Sequence, residues 1–525
     1  MLYSARSRRG MVTAPHHLAA QAGLDILKAG GNAVEAAVGV AAALAVLYPH
    51  MTGIGGDGFW LIHWPDGKMN AIDACGRAAH LATPALYNGL ESVPWRGGLA
   101  ANTVAGTISG WDAALAQAGG ALPLSRLLQD AIDYAEQGIV VTESLAGLLA
   151  MHRHALQEVP GFSALFLPNG YMPIAGQTIS NPALGETLRR LAEAGLSDFY
   201  QGKLARSIAA DLEAAGSPVR GRDLQMQRAE MAEPLSVRLQ SGMFHNSRPP
   251  TQGAASLLIL ALAERLGVTG ADTPEDIHKW VEATKLAFRY RDAEIADPAI
   301  MHADPQALLD DAAALDRMAA KADLQTAAPW PHPPQLGDTT WFGVIDGNGC
   351  AVSMIQSLYF EFGSGVVLPQ TGIVWQNRGA SFDLRPNLLR SLAPGRKPFH
   401  TLNPAMAHLN DGSTLSYGTM GGEGQPQTQA AIVARAVLAG QELQGAITAP
   451  RWLLGRTWGD TSTSLKFESR FDPALIEALR RMGHEVEILT PFATAMGHAG
   501  ALRRYADGTL EGATDPRSDG AVAAW

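Results

Sequence analysis

Apolar positions recur along this chain with two periods, and where the period changes the chain divides into elements. HHLAAQAGLDILKA and NAVEAAVGVAAALAVLY repeat at helical spacing and are separated by Gly30-Gly31, so they predict two helices, with Asn32 capping the second. The second is apolar on nearly every side, which predicts a helix sandwiched between other layers. FWLIHWPDGKMNAIDACG then switches to two strand-like runs joined at Asp66-Gly67, a hairpin signal. The same device returns at Asn348-Gly349, Asp411-Gly412 and Asp507-Gly508. Hairpins spread over both halves predict a large sheet system instead of one local ribbon.

Between the first hairpin and a proline-rich run (Pro329, Pro331, Pro333, Pro334) the pattern is mostly helical. PLSRLLQDAIDYAEQG, LGETLRRLAEAGL, LARSIAADLEAA, AASLLILALAERLG and EDIHKWVEATKLAFRYRDAEIAD all place apolar residues at i, i+3, i+4 and read as layers covering sheets. Beyond Thr339 the order is hairpin, irregular segment, hairpin, glycine turn, helix from Gln427, helix near Pro473 to Met482, and a final hairpin. There is no internal repeat and no low-complexity tract.

Composition narrows the class. Hydrophobic residues at 47% and charged residues at 17% give a globular balance with ample core, and 56 glycines with 31 prolines fit many tight turns. The length allows about three or four domains of ordinary size. A net charge of -10 argues against a nucleic-acid partner. Cys75 and Cys350 form no disulfide framework or metal spacing and read as small buried hydrophobes. MLYSARSRRGMVTAPHH has no apolar run of a secretory signal, so a cytoplasmic protein is expected. The most apolar stretch, Ala36 to Leu47, falls short of the roughly 20 residues a bilayer span needs, and no membrane partner is expected.

The candidate chemistry centres on GDTTWFGVIDGNGCAVSMIQS and its Asp338-Thr339 bond. If that bond is cut, Thr339 carries a free amine beside its hydroxyl, so one residue supplies both nucleophile and general base. An α-amino group titrates at roughly 7.7 to 8.0 and accepts a proton near neutrality. A threonine pair at a strand start is by itself ordinary strand chemistry. GIGGDGFW has glycines enough to wrap a phosphate but lacks the lysine of a P-loop, and reads as a turn into a strand.

APHHLAAQAGLDILKAGGNAVEAAV, GIGGDGFW, the threonine segment, GTMGGEGQPQ, AITAPRW and ATDPRSDG together resemble the gamma-glutamyltransferase family of N-terminal nucleophile hydrolases, in that family's order and nearly end to end. The resemblance implies an α+β fold, a four-layer αββα sandwich made as a proenzyme. Cleavage before Thr339 would give a large subunit, 1–338, and a small one, 339–525, and pairing of two such units would give a heterotetramer. It implies Thr339 as nucleophile, with its hydroxyl first attacking the Asp338 carbonyl. Ser357 stands where the family supports the nucleophile with a threonine, and Gly421 and Gly422 match the oxyanion-hole glycines, although Gly-Gly alone also suits a plain turn. Arg77, in IDACGRAA, matches the arginine holding the substrate carboxylate. No metal or organic cofactor is implied.

The chain departs from the family where a glutamyl α-ammonium is read. An asparagine, a glutamine and an aspartate there are replaced by Tyr359, Arg378 and Ser381, and a serine pair by His400 and Thr401. Losing the acid and gaining a cation implies an anionic acyl group without a free amine. Thr401 retains a donor, while His400 reads either as a packed neutral imidazole or as a substrate contact. Tyr359, Phe360 and Trp375 suggest a short acyl pocket. Oxamate and a glutaryl amide both fit, and TTWFGVID, YFEFGSG, WQNRGASF and GRKPFHTLNPA favour the oxamate-hydrolysing branch of purine nitrogen breakdown. A gamma-glutamyl hydrolase, a transferase using the same residues and an unprocessed binding relative are the alternatives.

Overall fold

Helix Ala33–Leu47 is buried along its whole length, and its surroundings give the layer order of the molecule. Asn32 accepts hydrogen bonds from Val34 N and Glu35 N while Glu35 reaches back to Asn32 N, a reciprocal cap that fixes where the helix begins. With helix His17–Lys28 it covers one face of a seven-stranded antiparallel sheet. The computed structural model describes residues 3–330, 338–455 and 462–525, with Asn169 and Asp338 described by backbone alone. Pro331, Pro333 and Pro334 of the proline-rich run lie outside the described residues.

That sheet runs in the order Ala521–Ala524, Gly10–Ala14, Asp338–Asp346, Ala351–Tyr359, Asp57–His63, Met69–Ala74, Glu230–Ala232. Its strands are apolar on both faces because both are covered. Phe342, Val344, Val352 and Ile62 pack toward the helices, whereas Ile345, Ala351 and Leu61 meet Met406, Leu502 and Leu510 of a second sheet. The second sheet is also seven-stranded: Ala5–Ser7, Leu510–Thr514, Ala499–Arg504, Thr414–Thr419, Ala405–Leu409, Gly242–Asn246, Leu235–Leu239. Helices Gly253–Arg265, Pro274–Glu294 and Gln425–Val433 cover its outer face, completing an αββα sandwich.

All four Asp-Gly and Asn-Gly sites turn antiparallel strand pairs, as their sequence predicts. The helical reading of the middle of the chain needs one correction. Leu235–Leu239 and Gly242–Asn246 form a fifth hairpin, with Leu235, Val237 and Leu239 alternating inward. The glycine-turn helix starts at Gln425, two residues before the expected Gln427. Among the described residues no helix is long and apolar enough to cross a membrane.

Candidate active site

The Asp338–Asp346 strand is central in its sheet, between Gly10–Ala14 and Ala351–Tyr359. Its register with the latter slips between Asp338, paired with Tyr359, and Thr340, paired with Gln356. This bulge leaves Thr339 opposite the Ser357-Leu358 step and brings a hydroxyl-bearing residue alongside it. Thr339 is fully buried, and Gln425 Nε2 donates to its Oγ1 at 2.7 Å. Ser357 Oγ accepts from Tyr359 N at 2.8 Å. Gln425 lies at the start of a helix, so the nucleophile candidate faces the end of an element whose first amides have no intrahelical acceptor.

The turn before that helix has backbone only glycine adopts easily: φ is 120° at Gly421 and 53° at Gly422. Gly424 N closes on Gly421 O at 2.9 Å. The turn rests on buried polar side chains. Gln252 Nε2 donates to the carbonyls of Gly422 and Thr401, both at 2.8 Å. Arg291 donates to Gln252 Oε1 at 3.1 Å and to Glu423 Oε2 at 3.1 Å. One glutamine thus ties the Gly421-Gly422 turn to the His400-Thr401 segment.

Beside Asp338 in register, Tyr359 holds a left-handed φ of 82°, an uncommon conformation for a bulky residue. Its ring lies 3.6 Å below the guanidinium carbon of Arg378. Arg378 is 1% exposed; Nε donates to Phe399 O at 2.9 Å, Nη2 donates to the same carbonyl, and Nη1 reaches Thr401 Oγ1 at 3.4 Å. Among the described residues no carboxylate lies in ion-pair contact with Arg378, though burial works against its charge. Among the described residues, Tyr359 Oη, Ser381 Oγ and His400 Nδ1 are buried without a hydrogen-bond partner. A buried cation with open donors and acceptors around it is poised to receive an anion.

Arg77 is placed elsewhere than the resemblance implies. Its side chain is 43% exposed and pairs with Glu230 at 2.9 Å, with Gly395 O at 3.1 Å and Asp297 at 4.0 Å. Two residues earlier, Cys75 turns inward, with a thiol that burial pushes well above its usual value. Trp375 donates to Thr103 O at 3.0 Å within the core, so Tyr359 supplies the aromatic contact to Arg378. Sequence reasoning missed Gln425, inside the GTMGGEGQPQ segment, and Asp57, inside the glycine-rich GIGGDGFW. Asp57 is fully buried and faces His400 Nε2 at 3.0 Å. A lone acid in an otherwise uncharged glycine turn was the available signal for it.

Comparison with known proteins gives the family and the fold. The family model described as gamma-glutamyltranspeptidase matches residues 19–525. The oxamate amidohydrolase proenzyme of Klebsiella pneumoniae is 54% identical over 523 residues, 99% of each chain. The glutathione hydrolase-like YwrD proenzyme of Bacillus subtilis is 40% identical, covering 98% of each chain. The crystal structure of cephalosporin acylase from Bacillus halodurans superposes with a TM-score of 0.91 at 35% identity, covering 99% of this chain and 97% of that one. The chain belongs to the gamma-glutamyltranspeptidase family. It is an autoprocessed amidohydrolase with the αββα sandwich of N-terminal nucleophile hydrolases, and its two subunits come from one precursor.

Proposed function

We propose that this enzyme hydrolyses a small anionic amide, oxamate, to oxalate and ammonia, after cutting its own chain between Asp338 and Thr339. The observation that carries the reading is the buried Arg378 guanidinium, without a carboxylate in ion-pair contact among the described residues and stacked on the Tyr359 ring one strand pairing from the proposed cut. A cation this close to the nucleophile suits a carboxylate attached directly to the amide carbon. A glutamyl group would bring an ammonium to a pocket where Ser381 stands in place of an acid. The oxamate amidohydrolase relative supports the same substrate.

The chemistry follows from the parts. In the precursor the Thr339 hydroxyl attacks the Asp338 carbonyl, the peptide nitrogen leaves as the new α-amine, and water opens the resulting ester. In the mature enzyme that amine takes the hydroxyl proton while Oγ1 attacks the amide carbon of oxamate. The oxyanion is received by the Gly421 and Gly422 amides, where one preorganised donor is worth about 3 to 4 kcal/mol. The amine returns its proton to the departing nitrogen, releasing ammonia, and water hydrolyses the acyl-threonine. Gln425 Nε2 donates a hydrogen bond to Oγ1 and holds it in place. Ser357 supports the nucleophile from the neighbouring strand. A cytoplasmic location and association of two processed pairs into a heterotetramer go with this reading.

The test is parallel incubation of the mature protein with oxamate, a glutaryl amide and a γ-glutamyl amide, with ammonia or amine release measured. Oxamate is expected to be turned over far faster than the others; preferential release from the glutaryl amide reassigns the substrate. Added amino acids should not divert the acyl group, and diversion would make the enzyme a transferase. On a denaturing gel the wild type should give two bands, and Thr339→Ala one uncut, inactive chain. A cleaved Thr339→Ala product removes Thr339 as nucleophile.

A further inference from the structure

Asp57 opens the Asp57–His63 strand directly from the glycine turn and makes hydrogen-bond contacts through both oxygens. Oδ1 accepts from Gly76 N at 2.9 Å, Gly106 N at 2.9 Å and Gln376 Nε2 at 3.1 Å. Oδ2 faces His400 Nε2 at 3.0 Å. Three donors on Oδ1 make it an acceptor only, so the fourth contact is the one able to exchange a proton. Edge contact with Phe59, ring centroids 4.9 Å apart, fixes the imidazole plane. The other ring nitrogen, His400 Nδ1, is buried without a partner, on the residue next to Thr401, which touches Arg378. Among the described residues His50, His63, His152, His245 and His498 also leave one buried ring nitrogen without a partner, and what sets His400 apart is the buried carboxylate hydrogen-bonded to its other nitrogen. This one is held by a buried acid at one end and left open at the other.

We propose that Asp57 is a positioning residue that presents His400 Nδ1 as the second anchor, with Arg378, for the substrate carboxylate, and that the Asp57–His400 pair takes one proton from solvent when that anion binds. The inference rests on the reading of this pocket as the acyl site of an amide hydrolase. With one proton, the pair is a carboxylate and an imidazole protonated on Nε2, and Nδ1 presents a lone pair that repels a carboxylate oxygen. With a second proton Nδ1 becomes a donor. The pocket then balances an incoming negative charge with one it has just gained.

The surroundings oppose that proton until the anion arrives. Burial, then Arg378 and Lys397, hold His400 well below 6.5. Burial pushes Asp57 up to about 7, against its donors and Arg378. The other charged or titratable groups around the pair are Cys75, which burial keeps as a thiol, Tyr200, and Asp73, which is spent on Lys397 at 2.7 Å. Above about pH 8 the empty pair therefore holds a single proton, and anion binding must draw the second from solution.

Calorimetric titration of the mature enzyme with oxalate at about pH 8.5, in two buffers of different ionisation enthalpy, measures that proton directly. Uptake close to one proton per site is expected for the wild type and close to none for Asp57→Asn. Kinetically, Asp57→Asn and His400→Gln should each raise KM for oxamate about tenfold, the loss of a hydrogen bond to a charged group, with kcat held within about twofold. The steep rise of wild-type KM above about pH 7 should flatten in both variants. Wild-type enzyme that binds oxalate without proton uptake, or variants that lose kcat with KM unchanged, overturn the proposal and leave the hydrolase reading standing. Failure of the wild type to bind oxalate or to hydrolyse oxamate overturns both. Should Asp57→Asn not fold, the wild-type proton count and His400→Gln decide.

Discussion

Two groups of buried arginines differ in one respect, the presence of acids. Arg451 and Arg517 share Asp515, at 2.6 and 3.0 Å, and Arg517 makes a second pair with Glu468 at 2.6 Å. Arg470 reaches the same Glu468 at 3.0 Å. Arg378 is as deeply buried, yet its donors end on a carbonyl and a hydroxyl. The first group is complete within the chain and ties together the segments around Arg451, Glu468 and Asp515. The second has a charge that no carboxylate in ion-pair contact balances among the described residues. Under the proposed reading, charge balance, more than burial, separates an arginine that serves the fold from one that awaits a ligand.

Substitutions probe this contrast in order of effect. Arg378→Ala should raise KM for oxamate about a hundredfold, read from initial rates. Its urea midpoint should stay level or rise, because an uncompensated buried charge is removed. A large loss of stability would move Arg378 into the structural group. Asp515→Ala should do the opposite, costing about 3 to 5 kcal/mol in urea denaturation by stranding Arg451 and leaving Arg517 with Glu468 alone.

The two groups should also answer pH with opposite sign. Asp57 has its folded pKa raised from 3.8 to about 7, so its contribution to stability is present below 3.8 and is lost as pH rises to about 7. Burial also pushes the Asp515 carboxyl up, but Arg451 and Arg517 outweigh it and hold it below 3.8, so its contribution is present above 3.8 and lost in more acid solution. Urea midpoints measured across this range should lose the first slope in Asp57→Asn and the second in Asp515→Asn. The smallest effect belongs to Arg77→Ala. Its half-exposed pair with Glu230 predicts less than about 1 kcal/mol and a KM within about twofold of wild type. A large KM change there would return Arg77 to the substrate.

Much of the fold was legible because its signals are local. Asp-Gly and Asn-Gly turns and the Asn32 cap act within a few residues of themselves. The Leu235–Asn246 hairpin was not, because its Gln240-Ser241 turn lacks those residues and the strands lie among helices. The site was legible as a set of segments, but the destination of each side chain was not. Arg77 is claimed by Glu230, 153 residues away, and Asp57 by His400, 343 residues away. Shared motifs also mixed two purposes: GTMGGEGQPQ carries the glycine turn, whereas AITAPRW and ATDPRSDG supply Arg451, Asp515 and Arg517.

If the proposed cut falls at Asp338-Thr339, the strand order has its own consequence. In the first sheet Gly10–Ala14 lies between Ala521–Ala524 and Asp338–Asp346, and in the second Ala5–Ser7 and Gly242–Asn246 flank four strands from beyond the cut. Neither fragment owns a whole sheet, so each alone would expose long rows of unpaired amides and carbonyls. Scission can therefore come only after the precursor has collapsed, and the products stay interlocked like laced fingers, with no covalent tie required.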